Sequence, residues 1–262
     1  MAAPDIPTLP FAHGHTGAIP VLGFGTWQAT GDDAYRSVST ALEVGYRHVD
    51  TAWMYRNHTE VGRALVDSGV PRDDVFLTTK IPPDRAGQAR ATLEKSLEDL
   101  QTDHLDLWLI HWPGGSADLD LWTDLLQARA DGLTRAVGVS NYSVEQLDEL
   151  ERATGVAPAL NQVRWGPPDF DPGFAADHRE RSVVLEGYSA LKITDLDDPV
   201  LTRIAEEHGV SVAQVIFRWH VQHDVVAIPK SVTPARIAEN LDVFDFELSD
   251  DQLAQIDALG DA

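Results

Sequence analysis

The stretches VFLTTK (75–80) and LDLWLIH (105–111) have the same pattern: an apolar, β-branched run that ends on one ionisable side chain. Such runs recur along the chain, and they predict eight strands at 21–25, 46–50, 75–79, 105–110, 135–139, 159–163, 183–187 and 225–228. Segments with apolar residues at i, i+3 and i+4 lie between the strands and predict helices. Alternating strands and helices are typical of a parallel sheet.

Polar residues mark the carboxyl ends of successive predicted strands. They are Asp50, Lys80, His111, Asn141, Gln162, Tyr188 and Lys230. An open doubly wound sheet would use only the loops near its switch point, whereas a barrel brings all eight loops to one face. The dinucleotide-binding glycine pattern is incomplete, because Gln28 stands where the third glycine after Gly23 and Gly25 should be. We therefore predict an α/β fold, a (β/α)8 TIM barrel, formed as one domain by residues 1–262.

Two further local patterns support this segmentation. The segment TLPFAHGHTGAIP (8–20) precedes the first barrel strand and predicts a hairpin that closes the bottom of the barrel. Helix starts are marked by capping boxes and by an N-cap followed by proline. These starts are Ser143 with Gln146, Ser211 with Gln214, Ser249 with Gln252, and Thr233 with Pro234.

Composition and charge exclude several classes of protein. Hydrophobic residues make up 43% of the chain, enough for a large core. The net charge of −22 disfavours binding to nucleic acid and to anionic membranes, since both need a basic surface. There is no cysteine, and the first twenty residues lack a signal-peptide pattern. We expect a cytoplasmic, monomeric protein with a small-molecule partner. The acidic excess indicates either adaptation to high salt or a well-hydrated surface.

Four residues near adjacent strand ends form the candidate catalytic group. Asp50, Lys80 and His111 end three successive strands, and Tyr55 lies in the loop after Asp50. This quartet, set in GYRHVDTAWMYRNHTEVG (45–62), resembles the Asp, Tyr, Lys and His tetrad of the aldo-keto reductases. The resemblance continues through VGVSN (137–141), NQV (161–163), GYS (187–189) and IPKSVTPARIAEN (228–240). It points to the prokaryotic members that are similar to 2,5-diketogluconate reductase.

The resemblance implies reduction of aldehydes and ketones to alcohols by hydride transfer from NADPH, and the residue types suit that chemistry. A carbonyl that accepts hydride becomes an alkoxide, so the site needs a proton donor and hydrogen bonds to the developing charge. Tyr55 is the expected donor, and Lys80 is expected to lower its pKa by stabilising the phenolate. Asp50 would hold the lysine, and His111 would orient the carbonyl oxygen.

The same resemblance implies cofactor contacts. Ser140, Asn141 and Gln162 could bind the nicotinamide carboxamide, although these polar groups could equally line the barrel. Tyr188 could stack on the nicotinamide ring or only fill space. The segment from Lys230 to Arg236 opens a helix and matches the family's 2′-phosphate site, which favours NADPH over NADH; the alternative is an ordinary capped helix. The complete expected set is Thr26, Trp27, Asp50, Ser140, Asn141, Gln162, Tyr188, Lys230, Ser231, Val232, Thr233, Arg236, Glu239 and Asn240.

Aromatic residues near the tetrad predict an apolar mouth for the substrate. The expected substrate contacts are Trp27, Trp53, Tyr55, His111 and Trp112. The short loop after His111 indicates an open pocket that accepts many small carbonyls or keto-sugars. Two other functions stay open: an NADPH-binding regulatory or sensor subunit with little turnover, and a metal-dependent barrel hydrolase. The hydrolase is disfavoured and no metal site is expected, because His48 and Asp50 would need several further ligands at other strand ends and only His111 offers itself.

Overall fold

The structure, a computed structural model, describes residues 6–261, with the backbone alone for Ala117 and Asp261. Eight parallel strands pair in chain order, and all eight predicted strands are confirmed within a few residues at their ends. They are β3 (Phe24–Gly25), β4 (His48–Asp50), β5 (Phe76–Ile81), β6 (Leu105–Ile110), β7 (Thr134–Ser140), β8 (Leu160–Arg164), β9 (Val184–Tyr188) and β10 (Val225–Ala227). A parallel bridge between Leu22 and Ala227 joins the first strand to the last. The predicted (β/α)8 barrel is confirmed.

Helices cover the outside of the sheet. Their bounds are α1 (Gly31–Val44), α2 (His58–Asp67), α3 (Ala89–Leu100), α4 (Asp118–Ala130), α5 (Val144–Thr154), α6 (Pro172–Glu180), α7 (Ala190–Ile193), α8 (Pro199–His208), α9 (Val212–Gln222), α10 (Pro234–Leu241) and α11 (Asp250–Asp257). The capping boxes predicted at Ser143, Ser211 and Ser249 are all formed. Thr233 is the N-cap of α10, as predicted, but its side chain accepts no capping hydrogen bond. No helix within residues 6–261 is both long enough and apolar enough to cross a membrane.

The predicted N-terminal hairpin is present and closes the amino-terminal end of the barrel. Strands β1 (Thr8–Pro10) and β2 (Ala18–Pro20) pair antiparallel. Ile19, with Leu9 and Phe11 beside it, packs on a small apolar cluster inside the barrel that includes Leu107 and Val226. Phe11 also meets the ring of Phe76, with the centroids 6.0 Å apart. The hairpin therefore keeps water out of the lower barrel.

The barrel interior changes from apolar to polar towards the carboxyl ends of the strands. The lower cluster is apolar, whereas the layer above it holds six fully or almost fully buried polar side chains: His48, Asp50, Thr78, Lys80, Gln162 and Glu186. Buried charges need partners to be tolerated. This upper layer therefore lies directly below the site at the top of the barrel and supplies its buried polar groups.

Candidate active site

A buried ion pair lies at the centre of the upper layer. The Lys80 Nζ atom donates to both carboxylate oxygens of Asp50, at 2.6 and 2.7 Å, and to the carbonyl oxygen of Thr51 at 2.9 Å. Neighbouring strands β4 and β5 supply the two partners. Burial lowers the pKa of Lys80, but Asp50, Tyr55 and Glu186 together outweigh burial, so this pKa is raised above its usual value. Lys80 therefore stays a cation with all three protons engaged.

Tyr55 and His111 lie above this pair. Tyr55 ends a 3₁₀ turn (Trp53–Tyr55), and its ring centroid is 5.2 Å from Lys80 Nζ and 5.7 Å from the His111 ring. Burial raises the pKa of Tyr55, while Lys80 lowers it and Asp50 raises it again. Lys80 thus acts in the expected direction, but burial outweighs it, contrary to the expectation of a lowered pKa. The phenol keeps its proton.

The His111 imidazole is neutral. Burial and the nearby Lys80 charge lower the pKa of His111 to about 3. Its backbone N–H donates to the carbonyl oxygen of Ile81 at 2.9 Å, which fixes the residue at the end of β6. A neutral imidazole carries one N–H. His111 can therefore donate a hydrogen bond to a carbonyl oxygen without adding a second cation beside Lys80.

Gln162 bridges two carboxyl groups below the site. Its Nε2 donates to Asp50 Oδ2 at 2.9 Å and to Glu186 Oε2 at 2.8 Å. Glu186 is fully buried, and burial together with Asp50 raises its pKa well above its usual range. Both protons of the Gln162 amide are consumed by these contacts. Only its oxygen, Oε1, remains to face the cavity. Gln162 can therefore accept a hydrogen bond from a nicotinamide carboxamide, but it has no N–H left to donate one.

A second chain of hydrogen bonds fixes Tyr188. Its hydroxyl donates to Asn141 Oδ1 at 2.7 Å, Asn141 Nδ2 donates to Ser140 Oγ at 2.9 Å, and Ser140 Oγ donates to the carbonyl oxygen of Gln162 at 2.8 Å. Asn141 has a φ of 66°, a left-handed conformation that asparagine tolerates better than most residues. This chain holds the Tyr188 ring at the wall of the cavity.

A cavity of about 500 Å³ opens above these groups. Predicted residues in its wall are Trp27, Asp50, Tyr55, His111, Trp112, Ser140, Asn141, Gln162, Tyr188 and Lys230. Trp27 and Trp112 stand at its rim, 42% and 46% exposed. Lys80, Thr26 and Trp53 do not line this cavity, and nor do the predicted residues that follow Lys230. The buried Thr26 hydroxyl donates to the Asp50 carbonyl oxygen, and Trp53 packs on His58 and beneath Arg85.

The segment after β10 presents an exposed cationic surface. Lys230 and Arg236 are exposed, and neither forms a salt bridge to any residue that the structure describes. The Ser231 hydroxyl accepts from the Thr233 backbone N–H at 3.1 Å. Val232 and Glu239 are exposed, while Asn240 is buried. An unpaired lysine and arginine beside the start of α10 form a donor set suited to a phosphate.

Sequence reasoning missed part of the site. Met54, Leu191, Lys192 and Phe217 also line the cavity, and Lys192 Nζ lies 5.0 Å from the centroid of the Trp27 ring. Glu186 was also missed, although a glutamate within the apolar run VVLEG (183–187) is a signal that could have found it. His48 is fully buried, and burial lowers its pKa to about 3. Among residues 6–261 no cluster of three His, Asp or Glu side chains could hold a metal ion.

Comparison with known proteins gives one consistent answer. The Aldo/keto reductase family model matches residues 21–261. Glyoxal reductase of Bacillus subtilis is 44% identical over 94% of this chain and 91% of its own. A crystal structure of an aldo/keto reductase from Brucella melitensis has a TM-score of 0.93 at 40% identity, covering 97% of this chain and all of that one. An aldo-keto reductase of Bombyx mori, solved in complex with NADP, has a TM-score of 0.91 at 30% identity over 98% and 94% of the two chains. The chain belongs to the aldo/keto reductase family, and the predicted membership is confirmed.

Proposed function

We propose that this protein reduces aldehydes and ketones to alcohols with NADPH, and that Tyr55 donates the proton. The observation that carries the proposal is the buried Lys80–Asp50 pair directly beneath Tyr55, with His111 beside it. A buried ion pair contributes little to stability because desolvation offsets its attraction, so such a pair below a cavity indicates a functional site. Here the charge faces the phenol ring at the floor of a cavity that is large enough for a small ligand.

Each residue of the site has its own role in the proposed reaction. NADPH, when bound, supplies the hydride to the carbonyl carbon. As the carbonyl π electrons move to oxygen, Tyr55 transfers its phenolic proton to that oxygen, and the phenolate left behind is stabilised by the Lys80 ammonium. His111 donates a hydrogen bond that holds the carbonyl oxygen near the phenol. Asp50 keeps Lys80 in place, and solvent returns a proton to Tyr55 after the alcohol leaves.

The proposed cofactor fits the donor groups of this chain. Lys230, Ser231 and Arg236 would hold the 2′-phosphate, because they offer two unpaired cations and a hydroxyl. Tyr188, fixed by Asn141, would stack on the nicotinamide, and the Gln162 oxygen would accept from its carboxamide. Glu239 and Asn240 are proposed for the adenine. The 2′-phosphate contacts make NADPH the preferred cofactor over NADH.

The substrates we propose are small carbonyls taken with broad tolerance. The cavity has an exposed apolar rim formed by Trp27, Met54 and Trp112. Such a rim accepts many small or apolar groups and does not require one particular shape. B. subtilis glyoxal reductase is named for a small dicarbonyl substrate. Methylglyoxal, aromatic aldehydes and keto-sugars are therefore the first compounds to test.

The test follows NADPH absorbance with this panel and measures the alcohol that is formed. We expect one alcohol for each NADPH oxidised and a much lower rate with NADH. If the protein binds NADPH tightly but oxidises it with none of the carbonyls, the proposed reduction is wrong. A regulatory or sensor role would then be the better account.

A further inference from the structure

Glu186 is the one acidic side chain of the upper barrel layer to which the proposed reaction gives no role. It lies in β9, fully buried, and strand register places it directly opposite Gln162 of β8. Its Oε2 accepts from Gln162 Nε2 at 2.8 Å, whereas its Oε1 has no hydrogen-bond partner among the described residues. His48 Nε2 lies 3.8 Å from Oε1, beyond hydrogen-bond distance. A buried carboxyl group with a single partner is costly to the fold.

The contact of Glu186 decides which end of the Gln162 amide faces the cavity. An amide side chain has a donor end and an acceptor end, and rotation by half a turn exchanges them. Asp50 alone could hold one proton of the amide group and leave the other pointing elsewhere. With acceptors on two strands, Asp50 on β4 and Glu186 on β9, both protons point down into the barrel. The amide oxygen is then the end that remains for a ligand.

We propose that Glu186 is a positioning residue, which orients the Gln162 amide so that its oxygen accepts a hydrogen bond from the cofactor's carboxamide N–H. The proposal rests on the proposed NADPH-dependent function. Burial favours the protonated form of Glu186, and a neutral carboxyl group still accepts through its carbonyl oxygen while it adds no second negative charge beside Asp50. A neutral glutamine at this position could therefore serve the same purpose.

The test compares NADP⁺ with its 3-acetylpyridine analogue, in which a methyl group replaces the carboxamide NH₂. Dissociation constants are measured by quenching of tryptophan fluorescence, because Trp27 and Trp112 stand at the cavity rim. Loss of one neutral hydrogen bond should weaken binding of the analogue roughly three- to tenfold in the wild-type protein. This ratio of the two constants reports the carboxamide contact and needs no turnover.

Three variants separate positioning from mere support of the fold. Glu186→Leu removes the acceptor at similar volume. The ratio of the dissociation constants of the analogue and NADP⁺ should then fall to within about twofold of one, as expected when the carboxamide hydrogen bond is absent. Glu186→Gln keeps an acceptor and should keep the wild-type ratio. His48→Gln alters the other neighbour of Glu186 without touching Gln162, so it should lower the melting temperature and leave the ratio unchanged. If Glu186→Leu does not fold, Glu186→Asp replaces it, because the shorter side chain moves the acceptor away from Gln162 by one methylene. The ratio of the two dissociation constants should again fall to near one.

Each outcome decides the matter. A wild-type ratio near one, a ratio that survives in folded Glu186→Leu or Glu186→Asp, or a ratio lost in Glu186→Gln or His48→Gln would overturn the proposed role. If any of these results is found and the wild-type protein still reduces carbonyls, only the role of Glu186 is wrong and the proposed function stands. A wild-type protein that binds NADPH with the expected ratio but reduces no carbonyl would remove only the proposed function.

Discussion

Replacing Lys80 with methionine should separate what this residue does for the fold from what it does for the reaction. The substitution removes three hydrogen bonds of 2.6 to 2.9 Å and leaves the buried Asp50 carboxylate with Gln162 as its remaining side-chain donor. Breaking a buried ion pair on one side costs about 3–5 kcal/mol. At roughly 2 °C per kcal/mol for a chain of this length, the melting temperature should fall by about 6–10 °C.

The double variant Asp50→Asn with Lys80→Met removes both charges together. Because no buried charge is then left unpaired, most of the lost stability should return. Turnover should not return, since the phenolate of Tyr55 would still lack a cation, and a loss of roughly 10²–10⁴-fold is expected in both variants. Thermal unfolding followed by circular dichroism and NADPH oxidation measure the two effects. A single variant as stable as the wild type, or a double variant no more stable than the single one, would refute the reasoning.

Three further predictions follow from charge. Arg236→Ala should weaken NADPH binding roughly ten- to a hundredfold and NADH binding little, because a charge-assisted contact to the 2′-phosphate is lost; equal losses in two parallel titrations would show that Arg236 does not touch that phosphate. The net charge of −22 predicts a melting temperature that rises from low salt to about 1 M NaCl, where screening shortens the Debye length from about 10 Å at 0.1 M to about 3 Å; a flat or falling melting temperature would remove the support for salt adaptation. Histidines with lowered pKa bind protons only after unfolding, so the free energy of unfolding should fall as the pH drops below 6.5, by up to about 1.4 kcal/mol per pH unit for each histidine. Glu186, whose pKa is raised, acts in the opposite direction and offsets the contribution of one histidine. Denaturant titrations from pH 7 to 4.5 that show a constant free energy of unfolding would contradict this prediction. These histidines are His15, His48, His58, His111, His178 and His220.

The barrel could be predicted because its information is local. Each strand is a short apolar run that ends on a polar residue, and a parallel barrel brings such ends together whatever the details of register. The placement of Asp50, Lys80 and His111 around one site at the top of the barrel followed from this rule alone. The single-domain organisation, monomeric state and cytoplasmic location stay predictions.

What could not be predicted depends on which side chains meet across strands. Gln162 was expected to bind the nicotinamide carboxamide, but nothing in the sequence indicates that register places it opposite Glu186, which accepts a hydrogen bond from its amide N–H. Gly23 and Gly25 resemble part of a phosphate-binding motif, yet a Cβ at Gly23 would lie 2.2 Å from the His48 ring, so packing requires that glycine. Such contacts are set by three-dimensional neighbours that no spacing along the chain reveals.

The phenol of Tyr55 as proton donor is the central claim, and Tyr55→Phe tests it most directly. Phenylalanine keeps the ring that packs on His111 and removes only the hydroxyl. The dissociation constant for NADPH should therefore stay within about twofold, while turnover of the best carbonyl substrate should fall roughly 10²–10⁴-fold, the usual contribution of general acid catalysis. A Tyr55→Phe variant that keeps more than about half of the wild-type turnover would contradict the account, because the proton would then come from another group.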